Sequence, residues 1–155
     1  IGGTELRYGR LLLQNAFGPE TLPLTIPLQT EYWNNLAFIS NAPDVTDPTD
    51  VGDSCTPYVF SNLLLGPYQA PLASGDTTAS GSGILSAGDG SLLLSAPGAG
   101  NDGSVALGYD LPAAGIPWLQ FDWDGDGTVD NPGATATFGI FRGNQRMIYM
   151  RESIW

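Results

Sequence analysis

The chain contains no histidine, no lysine and a single cysteine among its 155 residues. Without histidine it has no imidazole to act as a general base, and it lacks the side chain that most often binds zinc or iron. One cysteine excludes a cysteine metal cluster and any disulfide within the chain. Because these absences remove most familiar hydrolytic and redox sites, the sequence predicts a protein that is not an enzyme.

Positive charge is also scarce, since five arginines face 16 acidic residues and the formal net charge is −11. Nucleic acids and anionic membranes bind clustered positive charge, so neither is an expected partner. No apolar run approaches the roughly 18 residues that a membrane-spanning helix needs. The first residues carry no signal-peptide pattern, and we expect a mature product or excised domain that is secreted and works outside the cell.

Glycine and proline are abundant instead, with 21 and 12 residues, and both disfavour long helices. A hydrophobic content of 42% is enough to fill one core. Short apolar segments separated by turn residues predict an all-β fold, an antiparallel β-sandwich that forms a single domain over residues 1–155. Jelly-roll and immunoglobulin-like connectivity both fit these spacings.

The clearest strand pattern lies at residues 22–32, where apolar residues alternate with polar ones. Pro23 and Pro27 fall on the polar face and cannot donate to a β-ladder, so the pattern predicts an edge or bulged strand. A glycine-containing turn at 88–90 predicts a β-hairpin. Further strands are predicted at 6–15, 36–40, 105–109, 118–123, 134–142 and 147–154, with loops at 41–54 and 73–83.

Residues 122–130 read DWDGDGTVD and place carboxylates at relative positions 1, 3, 5 and 9. Such carboxylates can converge on one hard cation where the chain turns sharply at a glycine, here Gly127. An EF-hand would need a glutamate at position 12, where Gly133 stands. The sequence therefore predicts a calcium loop between two late strands, with water completing the coordination. The predicted ligands are the side chains of Asp122, Asp124, Asp126 and Asp130 and the main-chain oxygen of Thr128.

The alternative interpretation of this motif is a solvated acidic turn, because aspartate and glycine are ordinary turn residues. Four carboxylates within nine residues repel one another, however, which raises a pKa or costs stability unless a cation neutralises them. Calcium tolerates irregular oxygen ligands, whereas magnesium demands near-octahedral geometry. The motif therefore favours calcium, in a structural role.

Other residues leave several interpretations open. Exposed Tyr32, Trp33 or Tyr68 could stack on carbohydrate as in a lectin, although aromatic residues on strands usually fill a core. Cys55 is either a buried thiol or the partner of a cysteine outside this sequence. The acids at 44, 47, 50 and 53 fit no calcium loop, which favours a solvated segment.

Several segments together are more specific than any one of them. The chain carries LRYGRL at 6–11, NAFGPE at 15–20, QTEYWN at 29–34, DSCT at 53–56, PWLQFDWD at 117–124, FGIFRGN at 138–144 and YMRE at 149–152. Together they resemble the C-terminal domain of MshQ, a protein encoded with the mannose-sensitive haemagglutinin (MSHA) type IV pilus system of Gram-negative bacteria. The acidic loop is similar to the calcium loop of type IV pilus tip adhesins.

The resemblance implies a place on the bacterial cell surface or pilus, and a role in adhesion or pilus assembly rather than in a reaction. The expected partners are calcium and pilus or cell-surface proteins, with glycans as a further candidate. Two alternatives stay open beside this calcium-stabilised module. One is a carbohydrate-binding lectin-like domain, and the other is a structural subunit that assembles through edge strands.

Overall fold

A computed structural model of the protein describes residues 8–41 and 57–139. Cys55, the acids between 44 and 53 and the strand predicted at 147–154 lie outside these residues. In the part of the chain described, no helix is long and apolar enough to cross a membrane. The strands are β1 (Gly9–Leu13), β2 (Ala16–Gly18), β3 (Leu24–Trp33), β4 (Phe38–Ser40), β5 (Pro57–Val59), β6 (Leu63–Gln69), β7 (Ala79–Ser80), β8 (Ser82–Ile84), β9 (Asp89–Leu94), β10 (Gly103–Tyr109) and β11 (Gly133–Phe138), and 3₁₀-helices occupy Phe60–Asn62 and Pro117–Leu119.

Two sheets form the two layers of a sandwich. The first sheet has the order β1-β3-β9-β7, with β4 added to β3, and the second has the order β2-β11-β10-β6. Strands β5 and β8 form a separate two-stranded ribbon. The pairs are antiparallel except for β2 with β11, which is parallel. The all-β antiparallel sandwich predicted from the sequence is therefore confirmed.

The strand order also distinguishes the two connectivities that the sequence left open. In an immunoglobulin-like sandwich, strands A, B, E and D form one sheet and strands C, F and G form the other. Lettered along the chain, β1-β3-β9-β7 corresponds to A-B-E-D and β6-β10-β11 to C-F-G. Strand β2 then acts as the second half of strand A and joins the second sheet beside β11. The described strands follow immunoglobulin-like connectivity.

The core between the sheets follows from side-chain alternation with a period of two residues. Every second residue of β10 is buried, and the first seven residues of β3 show the same alternation. The phenolic oxygen of buried Tyr109 accepts a hydrogen bond from the backbone N–H of Val59 at 3.1 Å, which satisfies this polar atom. One contiguous apolar cluster joins the two sheets, and it includes Leu11, Leu13, Ile26, Leu28, Leu92, Leu94, Val105, Leu107, Ala136 and Phe138.

The prediction of an edge strand at 22–32 is wrong. Strand β3 lies inside the first sheet, paired with β1 on one side and with β9 on the other. Pro23 precedes the strand, and the backbone oxygen of Pro27 accepts a hydrogen bond from the N–H of Gln14 at 3.1 Å. The N–H and C=O of one residue in an antiparallel strand point to the same side, so the N–H that Pro27 lacks would have pointed toward β1. The paired register of β1 with β3 ends at Leu13 and Leu28, just before Pro27 is reached, so the missing donor lies beyond the end of that ladder. An interior strand therefore tolerates this proline.

Two further predictions differ from the structure. Residues 118–123 form no continuous strand, because Pro117 begins a 3₁₀-helix and Phe121 makes only an isolated β-bridge. The loop predicted at 73–83 contains β7 and the start of β8. The predicted hairpin turn is present one residue earlier than expected, where Ser86 and Asp89 exchange two backbone hydrogen bonds.

The three consecutive leucines of β9 provide a test of this register. Leu94 is fully buried, whereas Leu93 is 39% exposed and lies on the opposite face of the strand. We expect Leu94→Ala to lower the free energy of unfolding by about 3 kcal/mol, because it leaves a cavity in the core. The matched Leu93→Ala should cost less than about 1 kcal/mol. Urea denaturation measures both, and equal losses would contradict the register.

Candidate metal centre

The acidic loop is closed at its base by one pair of residues. Phe121 and Asp130 form an isolated antiparallel bridge, with hydrogen bonds of 3.2 Å and 2.9 Å between their backbone groups. Next to the bridge, Asn131 accepts hydrogen bonds at its Oδ1 from the backbone N–H of Leu111 and from the side chain of Gln120, both at 3.1 Å. The loop therefore leaves a short bridge and returns to β11, instead of joining the two full strands that the sequence predicted.

The carboxylate of Asp122 organises the interior of the loop. Its Oδ1 accepts hydrogen bonds from the backbone N–H groups of Gly125 at 2.7 Å and Asp126 at 3.1 Å, and its Oδ2 accepts one from Gly127 at 2.9 Å. Gly127, the predicted turn residue, has φ of +92°, a value that L side chains rarely adopt. The backbone thus curls around the Asp122 carboxylate and turns sharply at the glycine that the sequence predicted.

Asp126 has a separate partner in Thr128. The hydroxyl of Thr128 donates to Asp126 Oδ1 at 2.5 Å, and the Thr128 backbone N–H donates to the same oxygen at 2.8 Å. These two hydrogen bonds, the hydroxyl first, hold the pKa of Asp126 below its ordinary value because they favour the ionised form. Asp126 is therefore kept as a carboxylate, which is the form that a cation binds.

The structure brings three of the predicted ligands together. Carboxylate oxygens of Asp122, Asp124 and Asp126 all lie within 4.8 Å of one another, a separation that permits a shared cation. Asp130 stands outside this group at the base of the loop, and its pKa is raised by desolvation and then by repulsion from the three clustered carboxylates, Asp124 first. An all-oxygen cluster of this kind suits a hard cation such as calcium or magnesium. The roles of Asp130 and of the Thr128 main-chain oxygen as ligands stay predictions.

Sequence reasoning missed the contacts that attach the loop to the sandwich. Arg10 and Glu31 face each other across β1 and β3, and Arg10 Nε donates to Glu31 Oε2 at 2.8 Å. The Arg10 guanidinium carbon lies 3.8 Å from the ring centroid of Phe38, 4.7 Å from that of Phe121 and 4.8 Å from that of Trp123. Two of these rings belong to the segment that enters the acidic loop. A cross-strand pair of this kind depends on strand register, which the sequence pattern alone did not provide.

The three aromatic residues proposed for carbohydrate stacking lie in different environments. Trp33 is exposed and packs on Phe38. Tyr68 is half-buried against the hydrophobic core, and Tyr32 is also half-buried. Trp33 therefore belongs to the aromatic surface beside the acidic loop, while Tyr68 serves the core.

The hydrogen bond from Thr128 predicts a measurable titration effect. We expect Thr128→Val, which removes the hydroxyl and keeps the shape, to raise the pKa of Asp126, while Thr128→Ser keeps it low. A lowered carboxyl pKa contributes stability above the ordinary aspartate value of about 3.9, and this contribution is lost as the pH falls through the folded-state pKa. Carbon-13 NMR titration of the Asp126 carboxyl in calcium-free buffer measures the shift. The same Asp126 pKa in both variants would show that the hydroxyl plays no part.

Comparison with known proteins identifies a family for this chain. Residues 7–153 match the family described as DUF6701, fourth domain. No curated protein and no solved structure gives a significant match to the chain. The resemblance to the MshQ C-terminal domain stays a prediction. Because the family match covers nearly the whole sequence, the chain belongs to the DUF6701 fourth-domain family.

Proposed function

We propose that this domain is an extracellular, calcium-stabilised β-sandwich module of a type IV pilus-associated, MshQ-like protein, and that it acts in adhesion or pilus assembly. The observation that carries the calcium part is the group formed by Asp122, Asp124 and Asp126, whose carboxylate oxygens lie within 4.8 Å of one another. The carboxylates repel one another in this arrangement, so a divalent cation would relieve a cost that the loop otherwise bears.

The loop favours calcium over magnesium on chemical grounds. Its donors are carboxylate and main-chain oxygens in an irregular, exposed turn, and calcium accepts six to eight such ligands at flexible angles. Magnesium would impose near-octahedral geometry and would keep several of its waters. Desolvation, and then repulsion from the three clustered carboxylates, raises the pKa of Asp130, and the repulsive part is a cost that a bound divalent cation of either kind would relieve.

The module part of the proposal has different support. The family description as a fourth domain supports a role as one unit among several. Immunoglobulin-like sandwiches are common in cell-surface proteins, although the fold alone does not determine a function. The link to a pilus, to adhesion and to export rests on the MshQ resemblance of the sequence segments.

The two alternative functions have less support among the described residues. Of the three aromatic residues considered for a lectin-like platform, Tyr68 packs against the core and only Trp33 reaches the exposed aromatic surface. Assembly through an edge strand was suggested by Pro23 and Pro27, but β3 lies inside its sheet. We therefore retain the calcium-stabilised module as the favoured function.

Calcium should raise the melting temperature of the protein. At a calcium concentration about a hundred times the dissociation constant we expect a rise of about 5–10 °C, which EDTA reverses. Differential scanning calorimetry measures the midpoint with calcium, with magnesium and with chelator. A midpoint that does not respond to calcium, or that rises equally with magnesium, would contradict the proposal.

A substitution assigns this response to the loop. Asp124→Asn is the sharpest variant, because the Asp124 carboxylate accepts one backbone hydrogen bond, at 3.1 Å, whereas that of Asp122 accepts three. We expect Asp124→Asn to abolish most of the calcium-induced rise. The matched control is Asp76→Asn, in a separate turn where Asp76 Oδ2 accepts from the N–H of Ala73 at 2.8 Å. This control should keep the full response.

A further inference from the structure

Five aromatic rings form one contiguous cluster beside the acidic loop, which we call the aromatic patch. The rings of Phe38 and Phe121 lie at its centre, with centroids 5.1 Å apart and planes inclined at 83°. Trp33 packs on Phe38 at 5.4 Å, and Trp123 packs on Phe121 at 5.0 Å. Tyr8 contacts both phenylalanines, at 5.8 Å and 6.3 Å. These edge-to-face and tilted contacts fix the rings relative to one another.

Three rings of the patch are open to solvent. Tyr8 is 57% exposed, Trp33 is 42% exposed and Trp123 is 37% exposed, while the two phenylalanines beneath them are half-buried. Contiguous exposed aromatic surface of this kind marks interaction sites, and tryptophan and tyrosine are the residues that most often dominate binding energy. The patch therefore has the composition of a recognition surface.

The patch already binds one guanidinium. Arg10 lies 3.8 Å from the Phe38 centroid and within 5 Å of the centroids of Phe121 and Trp123, and Glu31 accepts its Nε–H at 2.8 Å. Its side chain is 19% exposed, so this cation is largely enclosed and its charge is paired. The arrangement shows which chemistry these rings accept, namely a planar cation over an aromatic face with a carboxylate at its edge.

Among the described residues, the charge around the patch is negative. Arg10 is the only basic residue within 8–41 and 57–139, and it is already paired with Glu31. The acidic loop includes Trp123 and carries four carboxylates, so even one bound calcium would leave a formal charge of about −2. An approaching cation is attracted by this potential, and an anionic ligand is repelled.

We propose that the aromatic patch binds an arginine-bearing basic segment of a partner protein. The partner's guanidinium would stack on Trp33 or Trp123, as Arg10 stacks on Phe38, Phe121 and Trp123, and the acidic loop would supply complementary charge. Arginine is favoured over lysine because its planar, weakly hydrated guanidinium stacks on aromatic rings. This inference goes beyond the proposed function and does not depend on calcium binding, since no ring of the patch is a predicted ligand.

Binding of hexa-arginine amide tests the proposal, with hexa-lysine amide as the matched probe. Isothermal titration calorimetry in saturating calcium reduces nonspecific electrostatic binding of the peptides to the loop carboxylates. We expect hexa-arginine to bind about fivefold more tightly than hexa-lysine, and Trp33→Ala and Trp123→Ala each to weaken hexa-arginine binding about fivefold. Trp33→Phe, which retains a ring, should restore most of the affinity and guards against loss of folding in Trp33→Ala.

Trp118 provides the control, because it is 69% exposed and is not one of the five rings of the patch. Trp118→Ala should leave hexa-arginine binding unchanged. Equal affinity for the two peptides would show that net charge alone drives binding and would overturn the proposal. Equal hexa-arginine affinity of the patch variants and Trp118→Ala would overturn it as well. Binding of neutral oligosaccharides on a glycan array that Trp33→Ala abolishes, with no hexa-arginine binding, would overturn it in favour of a glycan. The peptide comparison is repeated in EDTA. A melting temperature that does not respond to calcium, together with a retained preference for hexa-arginine, would therefore contradict the proposed function alone.

Discussion

The apolar interior shared by the two sheets is the constraint on which the other features of this domain depend. Side chains alternate along a strand, so burial of Ile26 and Leu28 in β3 places Glu31 and Trp33 on the opposite face. The register of β1 against β3 then sets Arg10 opposite Glu31. A shift of the strand register by one residue would turn the charged pair toward the core and the apolar side chains toward solvent. The chemistry of the outer surface is thus a consequence of how the core is packed.

The acidic loop combines an attachment with a separate internal arrangement. Phe121 and Trp123 pack on one another and lie over Arg10, while Asp122 between them accepts the backbone N–H groups of the curled loop. Alternating residues therefore hold the loop to the first sheet and organise its interior. Because the attachment uses aromatic rings and the interior uses carboxylates, a substitution can disturb one while the other is kept.

Local features of this molecule could be predicted from sequence, and non-local ones could not. The spacing of the aspartates and Gly127 predicts a turn that gathers carboxylates, because all these residues lie within one loop. The buried alternation of β3 is also readable, but its neighbours are not, since Pro27 is compatible with an interior position only where the β1 ladder ends. The stacking of Arg10 on Phe38 and Phe121 brings together β1, β4 and the start of the acidic loop. Residues so far apart in sequence make a tertiary contact that no local sequence pattern predicts.

The scarcity of positive charge links the calcium proposal to the proposed partner surface. The one cation within the described residues, Arg10, is paired with Glu31, and its guanidinium lies against aromatic rings. The pKa of Asp130 is raised by desolvation and then by repulsion from Asp124, Asp126 and Asp122, and no basic residue in the described part of the domain forms an ion pair with these carboxylates. A cation from outside would lower that repulsion, calcium within the loop and a guanidinium on the rings beside it. Since both would reduce the same negative potential, calcium should weaken but not abolish the binding of a basic partner.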